Sequence, residues 1–141
     1  MDPDLKEYFY NFLNNHTLAV ISSIYEQGTP QAAVVGFGQT KELELIIGTD
    51  NSSRKYKNLQ TNPKVALVIG WDNGETIQYE GSVRELSPEE IGLVRGTYWA
   101  KSPHTERNNE NPGERYFIVS PSWIRYTDLK AKPWIVKELK F

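Results

Sequence analysis

Thr49, Ser52, Ser53, Arg54 and Lys55 fall within seven residues of one another, in the run "GTDNSSRKYKNLQTNPKVAL" that occupies residues 48–67. Arginine is a forked donor, lysine a compact positive charge, and serine and threonine are short donors. Together they suit an anion with several acceptor oxygens. A phosphate monoester, with about −1.5 to −2 charges and three acceptor oxygens, fits that description. The position of the cations sharpens the reading. Residues 52–61 have helical character until Asn62 and Pro63 stop it, which puts Arg54, Lys55 and Lys57 in the first turn and a half. A helix start carries about half a positive charge and unpaired N–H groups, so cations there are unfavourable unless an anion sits among them. A solvated helix capped by Ser52 would use the same residue types; the adverse placement of the cations favours the anion site.

Other motifs carry less. "GFG" at 36–38 begins a dinucleotide fingerprint, but its third glycine would fall on Lys41 and no helix pattern follows. Ala32, Ala33 and Gly36 either let something flat approach the backbone or mark a crowded barrel wall. In "ETIQYEGSV", alternation sets Ile77, Tyr79 and Gly81 on one face and Thr76, Gln78 and Glu80 on the other, which by spacing alone is the solvent face. Gln78 could instead pair its amide with a heterocycle edge that offers both a donor and an acceptor. His16 and His104 stand far apart, with no partner at metal-ligand spacing, and neither a Ser-His-Asp set nor a Gly-Lys-Thr phosphate loop is visible. The residues therefore point to a phosphorylated ligand rather than to protein-only catalysis.

The elements that must position this cluster are mostly strands. Asp2 and Pro3 open a short helix with Leu5, Tyr8, Phe9, Phe12 and Leu13 at helical spacing. "TLAVISSIYEQG", "PQAAVVGFG" and "ELELIIGT" then form an antiparallel meander. "KVALVIGW" and "ETIQYEGSVREL" make a hairpin across "DNG", and "RYFIVSPSWIRYTDL" is a sixth strand in which Pro121 marks a bend or an edge. Between the last two, Ser87, Pro88 and Glu90 build a capping box for a helix whose apolar stripe is Ile91, Val94 and Tyr98. A short tail, "PWIVKELKF", ends the chain. Six strands without βαβ alternation give a mainly β protein, a small antiparallel barrel with short helices, as one domain over residues 1–141.

Composition bounds the partners. Of 141 residues 38% are hydrophobic and 24% charged, with a net charge of −2, so no overall positive field draws the chain to nucleic acid or to an anionic membrane. Without cysteine there is neither a disulfide framework nor a thiolate zinc site. The longest apolar runs, such as "ALVIGW", are too short to cross a bilayer, and the lack of an apolar leader makes the cytoplasm the expected setting. Four tryptophans and eight tyrosines exceed what one small core needs, which favours a dimer, with Trp71 and Trp99 as core or interface anchors.

"GTPQAAVVGF", "LIIGTDNSSRKYKNLQTNPKVALVIGW" and "IQYEGSVREL", over about residues 17–86, resemble successive strands of the pyridoxamine 5'-phosphate oxidase-like, FMN-binding split-barrel family. The resemblance implies a six-stranded antiparallel split barrel, a homodimer with FMN at the subunit interface, and an oxidoreductase acting on a small substrate. Carried over by position, it implies that Thr49, Ser53, Arg54 and Lys55 hold the FMN phosphate, that Ala33, Val34 and Val35 pass beside the isoalloxazine ring, and that Gln78 contacts the flavin. A deazaflavin is a related cofactor within the wider superfamily. The likeness has gaps. Oxidases of pyridoxine phosphate carry an Arg and a Lys where this chain has Ala33 and Gly38, and their longer C-terminal region has no match in "YTDLKAKPWIVKELKF". That departure speaks against pyridoxamine phosphate oxidation. A non-catalytic flavin-binding or stress-related protein, or a barrel for another phosphorylated ligand or single-stranded nucleic acid, are the readings from other classes.

Overall fold

A computed structural model describes residues 1–101 and 111–141, the Trp99 side chain excepted. Asp2 caps the first helix, α1 (Pro3–Asn14): its Oδ1 accepts from the N–H groups of Asp4 at 2.9 Å and Leu5 at 3.3 Å, while Pro3 occupies the first turn, where its missing N–H costs nothing. The helix sets Phe9 and Leu13, both fully buried, into the main apolar core.

The strands are β1 (Leu18–Ile24), β2 (Pro30–Gln39), β3 (Leu45–Asp50), β4 (Lys64–Ile69), β5 (Glu75–Glu85), β6 (Glu114–Asp128) and β7 (Ile135–Lys140). They pair antiparallel in the order β3-β2-β1-β4-β5-β6-β7, and a further β3–β6 pairing closes the first six into a barrel. Alternation decides which side chains fill it: Ala19 and Ile21 from β1, Val65, Leu67 and Ile69 from β4, and Ile77 and Tyr79 from β5 all point inward. The buried Tyr79 hydroxyl is satisfied, donating to the carbonyls of Leu43 at 2.8 Å and Val119 at 3.2 Å.

Two expectations are refined. The tail is a seventh strand, β7, paired along β6 from Trp123 to Asp128 outside the closed barrel; only Leu139 in it is buried, so it carries no two-residue apolar period. Pro121 falls between the β3 pairing, which ends at Val119, and the β7 pairing, which begins at Trp123, so one side of β6 is open there, as the expected bend or edge position requires. The proline lies at a register shift opposite Gly81, which keeps its missing N–H out of the ladder, and the absence of a Cβ on Gly81 lets the Ser120 carbonyl approach.

Two helices complete the frame. α3 (Pro88–Trp99) starts with the expected capping box, Ser87 Oγ accepting from Glu90 N–H at 3.3 Å and Glu90 Oε1 accepting from Ser87 N–H at 3.0 Å. It lays Ile91, Val94 and Tyr98 over Ile46, Leu86 and Tyr116, so β3 is covered on both faces. α2 (Arg54–Thr61) follows β3 directly. β2 is longer than its pairing with β3, which covers only Phe37–Gln39 against Ile47–Leu45. Residues 30–36 therefore have β1 on one side and, among the described residues, no strand on the other. The barrel is split there.

Candidate functional site

α2 begins beside that open edge. The start of the helix and the free stretch of β2 border a cleft of about 450 Å³ lined by Ile21, Ala32 and Ala33 from the sheet and by Ser53, Arg54 and Lys55 from the helix start. The cap of α2 is Ser53, not Ser52: Ser53 Oγ accepts from Tyr56 N–H at 3.1 Å and lies 2.9 Å from the hydroxyl of the buried Thr49. Ser52 is engaged elsewhere. Its N–H and hydroxyl both donate to Asp50 Oδ1, at 2.8 and 2.6 Å, while Asp50 Oδ2 accepts from Asn111 Nδ2 at 2.6 Å. The Ser52 hydroxyl, the Ser52 amide and Asn111 thereby hold the Asp50 carboxyl down at about 2. With Asn51 N–H donating to the Gly113 carbonyl at 2.8 Å, the turn that carries Ser53 is tied to the start of β6.

The cations are held apart and aimed. The Arg54 guanidinium stands 5.0 Å from the centre of the Tyr25 ring and lies against the amide of Gln31. Asn58, one helical turn on and buried, donates through Nδ2 to Ser23 Oγ at 3.1 Å and lies 2.9 Å from the Gln31 amide. Gln31, Asn58 and Ser23 thus form the polar back wall of the cleft. Lys55 is half-buried; burial lowers its pKa, and the carboxylate of Glu114 works in the opposite direction.

Thr49, Ser53, Arg54 and Lys55, expected together from the sequence, are brought together. Ala33 joins them in the cleft. Val34 is 60% exposed on the outer face of the sheet, and Val35 turns its side chain into the core, so only its backbone can meet a ligand. Gln78 is not in this cleft. It lies on the outer face of β5, in one row across the sheet with Val34, Val20, Val68 and Arg125. Trp71 is no core anchor, being 52% exposed. His104 and the side chain of Trp99 lie outside the described residues. Gln31, Asn58, Ser23 and Glu114 were not legible as site residues; the available signal was an asparagine one turn after Arg54 on the buried face of a short helix. Among the described residues no group of three or more His, Asp or Glu could hold a metal ion, and no helix is long and apolar enough to cross a membrane.

Comparison with known proteins agrees with this architecture. A pyridoxine/pyridoxamine 5'-phosphate oxidase from Haemophilus influenzae is 28% identical over 132 residues, covering 93% of this chain and 59% of that protein. The chain thus spans between half and three fifths of the length of the first curated relatives it matches. Among solved structures, a heme binding protein from Mycobacterium smegmatis superposes with a TM-score of 0.83 at 10% identity, over 99% of this chain and 59% of that one. The General Stress Protein 26 from Bacillus anthracis gives 0.77 at 20% identity, over 97% and 98%. At such identities the structural likeness speaks for the fold. The sequence match to the family described as pyridoxamine 5'-phosphate oxidase runs over residues 5–128, nearly the whole barrel. On that extent, the chain belongs to the pyridoxamine 5'-phosphate oxidase family.

Proposed function

We propose that this protein binds FMN in the cleft between α2 and the open edge of β2, works as a cytoplasmic homodimer, and serves as an oxidoreductase for a small substrate. The observation that carries the reading is the meeting, in one cleft, of a cationic, hydroxyl-rich helix start with a strand edge that has no strand partner. The first suits a phosphate and the second suits the donor and acceptor edge of a heterocycle. Thr49, Ser53, Arg54 and Lys55 would hold the phosphate; the small side chains of Ala32 and Ala33 would let a flat ring lie against the strand. Bound there, FMN supplies the redox chemistry, and the protein's part is to bind, orient and exclude.

The outer face supports a dimer. Val34, Val20 and Val68 sit side by side in register, with Val34 60% and Val68 37% exposed and Leu18 beside them 47% exposed. A flat apolar face of this kind is suited to a second copy. Gln78 continues the same row, so it would sit within or beside such a pairing of faces. The relatives named for pyridoxine and pyridoxamine phosphate do not transfer that substrate. A side chain added at Gly38 would meet the Thr97 carbonyl at 2.7 Å and Tyr98 Cα at 2.8 Å, so α3 fills the space that a lysine there would need. Heme, named for two of the structural neighbours, finds no histidine in this cleft among the described residues. His16 does not line the cleft, and its Nδ1 lies 2.8 Å from the Phe12 carbonyl.

The test is a fluorescence titration of flavin-free protein with FMN and with riboflavin, together with the spectrum of the protein as purified. FMN should bind at least tenfold more tightly, at about 1.4 kcal/mol per decade. Equal affinities would remove the phosphate assignment, and a deazaflavin spectrum would replace the cofactor. Turnover of a dye by reduced nicotinamide then separates an enzyme from a flavin carrier.

A further inference from the structure

Glu114 begins β6 directly opposite Asp50, the last residue of β3. Its carboxylate reaches back over Gly48, where Oε1 lies 2.5 Å from the point a Cβ would occupy; the Tyr98 hydroxyl is 3.2 Å from the same point. A side chain at 48 would evict the carboxylate, so the glycine makes room for an acid in this half-buried position. Around it stand Asp50 opposite on β3, Tyr98 from α3 and Tyr116 from β6, while Lys55 of α2 acts on it through its charge rather than through a direct ion pair. Arg115 is directed away, its Nη1 donating to the carbonyls of Pro112 at 2.9 Å and Glu114 at 3.0 Å. Lys55 is the cation whose charge favours the carboxylate.

We infer that Glu114 is an internal anion that competes with the ligand's phosphate for Lys55, so that phosphate binding is coupled to proton uptake by Glu114; this rests on the proposed phosphate site. Without a ligand, Glu114 answers the cation that the helix start cannot stabilise. Once a dianion engages Lys55, the carboxylate loses its support and faces negative charge from both the phosphate and Asp50. Two neighbours cannot take the proton in its place: Asp50 stays ionised down to about 2, and burial raises Tyr98 far above the neutral range. Glu114 is already displaced upward, first by burial and then by Asp50, with Lys55 opposing. Ligand binding therefore raises it further, and protonation on binding favours the complex as pH falls. The second ionisation of the phosphate, at about pH 6, acts in the opposite sense, so the effect must be read as a difference between proteins.

The experiment measures FMN and riboflavin affinity at pH 8 and pH 5.5 for the parent, Glu114→Gln and Glu114→Asp. Removing a carboxylate near the bound dianion should tighten FMN about 5- to 10-fold at pH 8, the gap narrowing towards pH 5.5. Glu114→Asp should bring the pH-dependent gap back towards the parent, and riboflavin should be unchanged throughout. Calorimetry in two buffers of different ionisation heat should show a net proton uptake on FMN binding that is more positive for the parent than for Glu114→Gln, the phosphate's own ionisation being common to both. If Glu114→Gln bound FMN like the parent at both pH values, with FMN still preferred to riboflavin, the inference would fall and the phosphate site would stand. If no protein preferred FMN to riboflavin, both would fall.

Discussion

Replacing Arg54 and Lys55 together by alanine tests the centre of the site. A hydrogen bond to a charged group contributes about 1.5–3 kcal/mol. Arg54 is exposed and belongs at the lower end, whereas Lys55 is half-buried and less screened by water. The two act on one phosphate, so their losses overlap and water takes up part of the vacated coordination. The double variant should lose at least about 2 kcal/mol of FMN binding, roughly 30-fold in Kd. Riboflavin affinity should move less than about twofold, since the Thr49–Ser53 pair and the β2 edge are untouched. Folding is not expected to confuse the result. Relieving cations from an exposed helix start gains about 0.3–1 kcal/mol per charge, and losing the Arg54–Tyr25 contact costs about 0.5–1 kcal/mol. A thermal melt of the flavin-free variant should therefore lie close to the parent's. A flavin fluorescence titration reads the affinity, and an FMN Kd within threefold of the parent in a protein with an unchanged melt would refute the phosphate assignment.

Three further outcomes are expected. Val68→Arg should convert a dimer into a monomer in sedimentation, because it places a cation on the apolar face next to Val20, at the end of the Val34–Val20–Val68 row; a parent that is monomeric with FMN bound would contradict the shared site. Asp50 has a folded pKa of about 2, below its unfolded value, so the stability it contributes is present above about pH 4 and is lost as pH falls through about 2. The Tm deficit of Asp50→Asn should accordingly be full at pH 6 and close on acidification, and a deficit constant down to pH 2 would show that its bonds to Ser52 and Asn111 do not depend on charge. With FMN bound, the protein should form no pyridoxal phosphate from pyridoxine or pyridoxamine phosphate, and turnover on the order of 1 per second would overturn this.

The residues that could be read in advance are those whose role is local. The caps at Asp2 and Ser87 lie within three residues of the groups they satisfy, and the unfavourable cations at 54 and 55 declare themselves against their own helix. Strand alternation was enough to place Ile77 and Tyr79 inside and Gln78 outside. What escaped depends on contacts across the chain. Asn58 meets Gln31 from 27 residues away and Ser23 from 35. The bulge at Pro121 requires Gly81 on the neighbouring strand, and β7 is held by its pairing with β6 rather than by an apolar face. Val35 shows the limit of a positional likeness, which can say that a strand passes a ligand but not which way its side chains turn.

Cations at the start of α2 would, in a free helix, waste binding energy by wandering in solvent. Here each has an internal counterpart: Gln31 and Tyr25 for Arg54, and the field of Glu114 for Lys55. Holding a long side chain before the ligand arrives removes about 0.5–1.5 kcal/mol of ordering cost from the binding step. The two counterparts differ in kind. Gln31 and Tyr25 are neutral, and they aim the guanidinium without opposing an incoming anion. Glu114 is charged, and it must be neutralised or displaced before Lys55 can give its full attraction to a phosphate. The first arrangement sets affinity, whereas the second makes affinity depend on pH. That division follows from the register of β3 and β6, which places an acid opposite Asp50 and a glycine two residues before it. A change at Glu114 should therefore alter the pH dependence of phosphate binding, whereas a change at Gln31 or Tyr25 should alter its strength at every pH alike.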